Sequence, residues 1–151
     1  MKNYVLIKET TFEKARKKIV EAKKQNKITI FSSADDELNR KVLEKLEINV
    51  LLINLAERKD FQKQRNSGFN HVLAKIAKKN KIIIGINLDE IIGAESKSKA
   101  NILARVRQNV KLCNKNKLQM EFFSEKYKKD KYDLKALGGI LGMPTYMVTN
   151  L

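Results

Sequence analysis

The segments "NVLLINL" (49–55) and "KIIIGINL" (81–88) are continuous runs of mostly aliphatic residues. Neither run alternates between apolar and polar residues, which predicts strands that are buried on both faces. Such strands are typical of a parallel sheet that is covered by helices. Longer amphipathic segments separate the aliphatic runs along the chain, and this alternation of strands and helices predicts an α/β fold.

The same alternation extends over the rest of the chain. The predicted strands are 4–9, 27–33, 49–55, 81–88 and 118–124, with 146–150 as a possible sixth strand. The predicted helices are 10–26 (capped by Thr10 or Thr11), 34–47, 97–116 and 133–143, together with a helix near 66–80 and a short helical turn at 89–93. A complete eight-unit barrel needs about 200 residues or more. Periodicity alone does not decide whether five or six strands form an open sheet or a barrel.

The composition predicts one basic domain. The chain has 151 residues, of which 42% are hydrophobic, and a single proline, so we expect one α/β domain over residues 1–151. Lys and Arg number 32 against 17 Asp and Glu, which gives a formal net charge of +15. A polyanionic partner would offset this self-repulsion, with nucleic acid as the first candidate and an acidic membrane surface as the second. A general bias toward lysine codons remains the alternative explanation.

The amino terminus and the cysteine content predict a soluble cytoplasmic protein. The first residues, "MKNYVLIKET", contain no apolar signal-peptide core, and no run approaches the length of a membrane span. The chain has one cysteine, Cys113, so no internal disulfide can form, which fits a reducing compartment.

Residue patterns of known enzyme sites are scarce. The sequence has no phosphate-binding loop, dinucleotide fingerprint, HExxH or CxxC motif, and one His with one Cys does not build a His-rich metal site. A nucleophilic pair of Cys113 and His71 is conceivable, but Cys113 falls on the apolar face of its helix, which favours a structural thiol. Within each of the pairs Asp35–Asp36 and Asp89–Glu90, the two side chains point in different directions on a helix. The position of the first pair in the first turn is explained by the positive end of the helix dipole, which favours acids. We therefore predict no catalytic residues, metal or cofactor.

The stretch "QRNSGFNHVLAKIAKKN" (64–80) predicts an amphipathic helix with a basic outer side. At 100° per residue the core side is predicted to contain Phe69, Val72, Leu73, Ile76 and Ala77. His71, Lys75 and Lys78 fall on the opposite side. Asn66 or Ser67 is the expected cap, and with Gly68 it would leave backbone N–H groups open to phosphate. Arg58, Lys59, Lys63 and Arg65 precede this helix, in the loop that follows the third strand. An idle surface histidine remains an alternative for His71.

The segment 96–118 contains seven basic residues and no Asp or Glu. Its predicted core face consists of Ile102, Leu103, Val106, Val110 and Cys113. Arg107, Lys111 and Lys115 form a stripe beside that face. Like charges at this spacing destabilise a helix slightly, whereas contact with a phosphate backbone would be favourable. With six Phe, four Tyr and no Trp, the aromatic residues predict no stacking platform on an exposed strand, so a reader of RNA backbone and shape fits better than a single-strand reader. A solvated lysine-rich face is the alternative.

Three segments carry a resemblance to a known family: "GFNHVLAKIAKKNKIIIGINLDEII", "ILARVRQNVKLCNKNKLQMEFFS" and "DLKALGGILGM". In this order they resemble the ribonuclease P protein component 3 family over roughly Asn49 to Met143. The resemblance implies a TIM-barrel-like α/β fold, reduced or incomplete here. It also implies a non-catalytic protein subunit of a ribonucleoprotein whose RNA removes the 5′ leader from precursor tRNA. The implied partners are ribonuclease P RNA, ribonuclease P protein component 2 and, indirectly, precursor tRNA.

The family motif also suggests particular residues. Its basic residue and histidine correspond to Arg65 and His71, its next basic positions fall near Lys78 and Lys79, and those of the long helix map onto Arg105, Arg107 and Lys111. Two departures are a Ser at position 67 where the family commonly has Pro, and fewer strand–helix units before the match. Together the pattern and the resemblance predict these RNA-binding residues: Arg58, Lys63, Arg65, His71, Lys75, Lys78, Lys79, Arg105, Arg107, Lys111 and Lys115.

Two other classes of function remain open from the sequence. A small α/β phosphoesterase or phosphate-ligand-binding enzyme would use Arg65 and His71 at its phosphate site. Related metal-dependent phosphoesterase barrels carry an amino-terminal His/Asp cluster, which this sequence lacks. A basic protein of membrane surfaces, or a purely structural one, is the third class.

Overall fold

The computed structural model describes residues 3–151, which form one parallel sheet flanked by helices. The strand order is β1-β2-β3-β4-β5, and each neighbouring pair is parallel. The strands are β1 (Tyr4–Lys8), β2 (Ile28–Ser32), β3 (Val50–Ile53), β4 (Ile83–Asn87) and β5 (Met120–Phe123). The helices are α1 (Phe12–Lys24), α2 (Asp36–Lys45), α3 (His71–Lys79), α4 (Leu88–Gly93), α5 (Ser96–Lys115), α6 (Lys131–Ile140) and α7 (Thr145–Thr149). None of the helices in this range has the length and apolar character needed to cross a membrane.

The predicted α/β alternation and the five strands are confirmed, but the sixth strand is wrong. Residues 146–149 belong to helix α7 instead, and Asn150 is its C-cap. Tyr, Val and Thr favour strands locally, and that propensity misled the prediction. The helical turn buries Met147 completely and presents the Met147 carbonyl to the side-chain amide of Gln119, 3.0 Å away. This tertiary packing outweighs the local preference.

The sheet curls, so that its two edge strands approach each other. Its outer face packs against the helices in the main core. Its inner face carries a second apolar cluster of Ile30, Val50 and Leu52. The rings of Tyr4 on β1 and Phe123 on β5 meet edge to face with centroids 5.9 Å apart. The two edges are thus joined by side chains, without backbone pairing of β1 with β5 in the described residues. This is the arc of a TIM-barrel-like sheet that stays open.

Gly85 makes room for this curl at the middle of β4. A Cβ at position 85 would lie 3.0 Å from Cδ1 of Leu52 and 3.1 Å from the ring of Phe123. These separations are tighter than ordinary van der Waals contacts. The missing side chain therefore leaves the space that Phe123 fills on the inner face.

Three of the four helices that lead into the sheet, α1, α3 and α5, end with the same backbone turn, whereas α2 ends at an extended Leu46. Asn26, Lys81 and Lys117 adopt left-handed φ values of 54°, 56° and 56° after α1, α3 and α5. The next residue in each case donates its N–H back to a carbonyl five positions earlier, as in Ile82 to Ala77 (2.9 Å) and Leu118 to Cys113 (2.9 Å). This is the Schellman arrangement, which satisfies the last carbonyls of a helix. It directs the chain straight into the following strand.

Cys113 lies in the main core at 0% exposure. Burial raises the pKa of its thiol from an ordinary value of 9.0 to about 12. The prediction of a structural thiol is therefore confirmed, and a nucleophilic pair with the exposed His71 is excluded.

Replacing Lys81 by glycine should stabilise the protein. A side chain in the left-handed region costs roughly 1–2 kcal/mol, part of which glycine loses again through its freer unfolded chain. We expect Lys81→Gly to raise the free energy of unfolding by about 1 kcal/mol in urea titrations. The control Lys17→Gly, at an exposed position inside α1, should lower it by about 1 kcal/mol. Destabilisation by both variants would contradict the strain at position 81.

Cys113 should resist thiol reagents in the folded protein. Because the thiol is buried and stays protonated, Ellman's reagent should react very slowly at both pH 7 and pH 9. In guanidinium chloride the same thiol should react fast and give one equivalent of product, since the chain has one cysteine. Equal rates with and without denaturant would show that Cys113 is accessible.

Candidate nucleic-acid interface

The long loop between β3 and α3 is held in place by Arg105 of α5. The guanidinium donates from Nη1 to the Leu55 carbonyl (3.0 Å) and from Nη2 to the Arg58 carbonyl (2.8 Å). Nη2 also contacts Oδ1 of Asp60 at 3.1 Å. The Arg105 side chain is only 5% exposed. One buried cation thus satisfies two loop carbonyls and a carboxylate, which fixes the loop against α5.

Arg58 anchors the same loop from its inner side. Its Nε donates to the Asn54 carbonyl at 2.6 Å, and its two terminal nitrogens pair with Asp36 at 2.9 and 3.0 Å. Gly68 lies directly against this guanidinium, with a φ of +67°, and a Cβ there would be 2.5 Å from Nη2 of Arg58. Glycine is therefore required twice at position 68, by its conformation and by the close approach of Arg58.

Arg58 and Arg105, both predicted to bind RNA, do not lie on an exposed basic surface in the structure. Both guanidinium groups form ion pairs and hydrogen bonds within the protein, and the side chain of Arg58 is only 9% exposed. The carbonyls that follow β3 have left the sheet and need donors, and buried polar groups rarely go unpaired. The forked guanidinium suits this task better than a lysine amine.

Helix α3 begins later than the sequence suggested. Its cap is Asn70, whose side chain accepts from the N–H of Leu73 at 2.9 Å, and not Asn66 or Ser67. Ser67 is buried instead, and its hydroxyl donates to the Phe69 carbonyl at 3.2 Å. The predicted open helix end beside Gly68 is therefore wrong, since residues 66–69 still belong to the anchored loop.

The predicted phase of α3 is right on its outer side and partly wrong on its inner side. His71, Lys75, Lys78 and Lys79 are exposed, with His71 as the first helical residue. Leu73 and Ala77 are buried as predicted, but Val72 is 50% exposed and Ala74 is fully buried. The helix is rotated so that its small alanines face the neighbouring elements.

A groove between the loop and α5 collects three exposed cations. The Gln108 side chain donates to the Arg65 carbonyl at 3.3 Å, which brings residue 65 against the middle of α5. The groove has a volume of about 610 Å³. Its lining consists of Arg65, Ala100, Leu103, Ala104, Arg107, Gln108 and Lys111. None of these residues is acidic, so this groove, which we call the cationic groove, is suited to bind an anion.

The acid nearest to this groove is already engaged. Asp60 accepts the backbone N–H of Asn66 at 3.0 Å and pairs with Arg105. These two donors, and Arg65 more weakly, hold the pKa of Asp60 below its ordinary value. Asp60 therefore stays ionised and occupied with the loop, and it does not compete with an anionic ligand for the cationic groove.

The remaining predicted cations are exposed but stand outside this groove. Lys115 lies near the end of α5, and Lys63 lies in the loop. The Lys78 amine donates to the Lys117 carbonyl at 3.1 Å and so links α3 to the end of α5. The structure thus joins Arg65, Arg107 and Lys111 in one groove and leaves Lys63, His71, Lys75, Lys79 and Lys115 as separate exposed groups.

The adjacent carboxylates serve the structure and do not form acid–base pairs. Asp35 caps α2, whereas Asp36 pairs with Arg58. Asp89 accepts from the backbone of Glu125 at 2.9 Å, and Glu90 accepts from the backbone of Leu55 at 2.8 Å. Between residues 3 and 151 there is no group of three His, Cys, Asp or Glu side chains that could hold a metal ion.

The chain is similar to curated archaeal proteins named "Ribonuclease P protein component 3". It is 27% identical to the Methanocaldococcus jannaschii protein over 146 residues, which covers 94% of this chain and 60% of that protein. It is 27% identical to the Methanothermobacter thermautotrophicus protein over 128 residues, with 85% and 49% covered. It is 31% identical to the Methanococcus vannielii protein over 99 residues, with 65% and 40% covered. No protein-family model matches the chain.

A solved structure shares the fold. A chain in the "cryo-EM structure of archaeal Ribonuclease P with mature tRNA" superposes with a TM-score of 0.77 and 25% sequence identity, over 95% of this chain and 61% of that chain. The likeness confirms the TIM-barrel-like α/β fold. The present chain spans about 60% of the length of the first relative and of this structural neighbour. In sequence the chain is similar to proteins of the ribonuclease P protein component 3 family, and in fold to a chain of an archaeal ribonuclease P.

Proposed function

We propose that the protein is an RNA-binding, non-catalytic subunit of ribonuclease P. It would support the removal of the 5′ leader from precursor tRNA, a reaction that the RNA of the complex carries out. The cationic groove is the observation that carries this proposal, because it combines three exposed cations from two distant parts of the chain with no acidic residue. The net charge of +15 fits a polyanionic partner.

The groove suits an RNA backbone for two reasons. Lys and Arg side chains that neutralise phosphates release condensed counterions, and this gain supplies much of the affinity of nucleic-acid binding. The guanidinium groups of Arg65 and Arg107 can also pair with phosphate oxygens through two hydrogen bonds each. The exposed residues Lys63, His71, Lys75, Lys78, Lys79 and Lys115 would add contacts outside the groove.

The proposed partners follow from the family and from the structural neighbour. We propose ribonuclease P RNA as the direct partner, ribonuclease P protein component 2 as the protein partner, and precursor tRNA as an indirect one. The protein would act in the cytoplasm as a single α/β domain over residues 1–151, without a cofactor. These proposals rest on relatives of which the chain covers about 60% or less.

Reconstitution tests the proposed role directly. The pure protein should cleave neither precursor tRNA nor a phosphomonoester, with or without divalent metal. Added to the cognate RNA together with component 2, it should raise the rate of 5′-leader removal. Equal cleavage with and without it would contradict the subunit role, and metal-dependent hydrolysis by the protein alone would instead favour a phosphoesterase.

The salt dependence of RNA binding tests the cationic groove. If Arg65 and Arg107 each neutralise one phosphate, Arg65→Ala and Arg107→Ala should each reduce the slope of log K against log salt by about one unit. Binding to the cognate ribonuclease P RNA would be measured by filter binding between low and moderate salt.

A matched control is available on α1. Arg16 is an equally exposed arginine far along the chain from the groove, so Arg16→Ala should leave the slope unchanged. If all three variants shift the slope alike, binding follows net charge and the groove has no special role.

A further inference from the structure

We propose that Phe61 stacks on an unpaired base of the bound RNA. This inference rests on the proposed function and adds a base-stacking contact to the phosphate contacts of the cationic groove. Aromatic side chains bind single-stranded nucleic acids by stacking, and this contact tolerates any base because every base has a π-face.

The side chain of Phe61 is exposed to solvent, where it does not stabilise the fold. Its side chain is 63% accessible, although a phenylalanine contributes to stability chiefly by being buried. It stands in the stretch "KDFQKQR" (59–65), where its neighbours are charged or amide side chains. A large apolar ring with Lys63 and Arg65 close by along the chain is suited to a nucleotide, which offers a flat base beside a phosphate.

The loop presents this ring on a fixed turn. The backbone N–H of Phe61 donates to the Gln64 carbonyl at 2.8 Å, and the N–H of Gln64 returns to the Phe61 carbonyl at 3.4 Å. On the two sides of the turn, the backbone N–H of Asn66 donates to Oδ1 of Asp60 at 3.0 Å. Nη2 of the buried Arg105 donates to the same carboxylate oxygen. The ring is therefore presented by an anchored turn, which reduces the entropy lost when a ligand binds.

A hollow beside the ring offers further contacts. It has a volume of about 300 Å³, and its lining includes Phe61, Arg65, Asn66, Asn70 and Val72. Arg40 and two acids also line it: Glu37, and Asp36, whose carboxylate is paired with Arg58. Val72, at 50% exposure, adds apolar surface. The side-chain oxygens of Asn66 and Asn70 already accept hydrogen bonds within the protein, so their amide nitrogens are the groups that can donate to the edge of a base.

Arg65 connects this hollow to the cationic groove, since it lines both. A strand whose phosphate lies at Arg65 would place an adjacent base within reach of Phe61, which is four residues away across the paired turn. This shared residue favours RNA over a protein segment as the occupant. The combined surface is suited to an unpaired nucleotide that adjoins a bound phosphate backbone.

The first experiment uses ring chemistry at position 61. Stacking on one base should make Phe61→Ala and Phe61→Leu bind the cognate ribonuclease P RNA about 5- to 150-fold more weakly, while Phe61→Trp keeps the affinity. The salt slope should stay at the wild-type value in all three variants, because Phe61 touches no phosphate. Affinity would be measured by filter binding, with thermal melting as a check that the exposed position leaves folding intact.

The second experiment uses tryptophan fluorescence, because the chain has no tryptophan of its own. In Phe61→Trp, a short oligouridine should quench the emission more strongly than a blunt RNA duplex at equal phosphate concentration. The control Ile140→Trp, at a position that is 69% exposed and has uncharged neighbours in α6, should show no such quenching.

The outcomes separate this proposal from the proposed function. Unchanged affinity in Phe61→Ala together with unquenched emission in Phe61→Trp would overturn the stacking contact, while normal RNA binding by the wild type would leave the proposed function standing. Loss of component 2 binding in Phe61→Ala with RNA binding intact would assign Phe61 to a protein contact and also overturn the proposal. A wild-type protein that binds no RNA would overturn both.

Discussion

The buried guanidinium of Arg105 is the interaction on which the candidate interface depends. It joins α5 to the carbonyls of Leu55 and Arg58 and to the carboxylate of Asp60. Removal of Arg105 would leave the Leu55 and Arg58 carbonyls without these donors, and buried polar groups that lose their partners destabilise a fold. The first part of the loop would then lose its attachment to α5, and only the segment of Arg65 and Ser67 would keep its hydrogen bonds to Gln108 and Asn109.

The structure divides the cations of the chain into two sets with different tasks. Arg58 and Arg105 satisfy loop carbonyls and carboxylates, whereas Arg65, Arg107 and Lys111 remain exposed in the groove. The net charge therefore overstates the number of groups that are free to meet a polyanion. The internal arginines still affect RNA binding, because they hold the loop in place. The exposed cations are then positioned before the RNA backbone binds, which lowers the entropy lost on binding.

The sequence predicted the buried strands and helix faces, which follow hydrophobic periodicity. It failed for helix ends and side-chain partners, which depend on tertiary contacts. The runs at 49–55 and 81–88 became β3 and β4, and the core face of α5 is confirmed at Ile102, Val106 and Val110. Arg105 and Arg107, however, flank that face on opposite sides, so helical periodicity predicts the same exposure for both side chains. Only the contact of Arg105 with the loop carbonyls makes one buried and the other exposed. The start of α3, the exposure of Val72 and the helical form of α7 likewise depend on contacts with distant segments. Phe61 was missed because an isolated aromatic residue in a polar stretch forms no period.

The openness of the sheet has little bearing on the interface. The inner face is partly filled by the chain's own side chains, with Phe123 packed over Gly85 and touching Tyr4 from the opposite edge. It keeps a hollow of about 310 Å³ between the two edges. The cationic groove lies elsewhere, between α5 and the loop after β3, and the loop is anchored by contacts with α5 and with Asp36 of α2. A closed barrel would need further strands beside β1 or β5, whereas the loop that carries Arg65 follows β3, the central strand of the sheet. The geometry of the groove is thus set by contacts of the loop with α2 and α5, and not by the edges of the sheet.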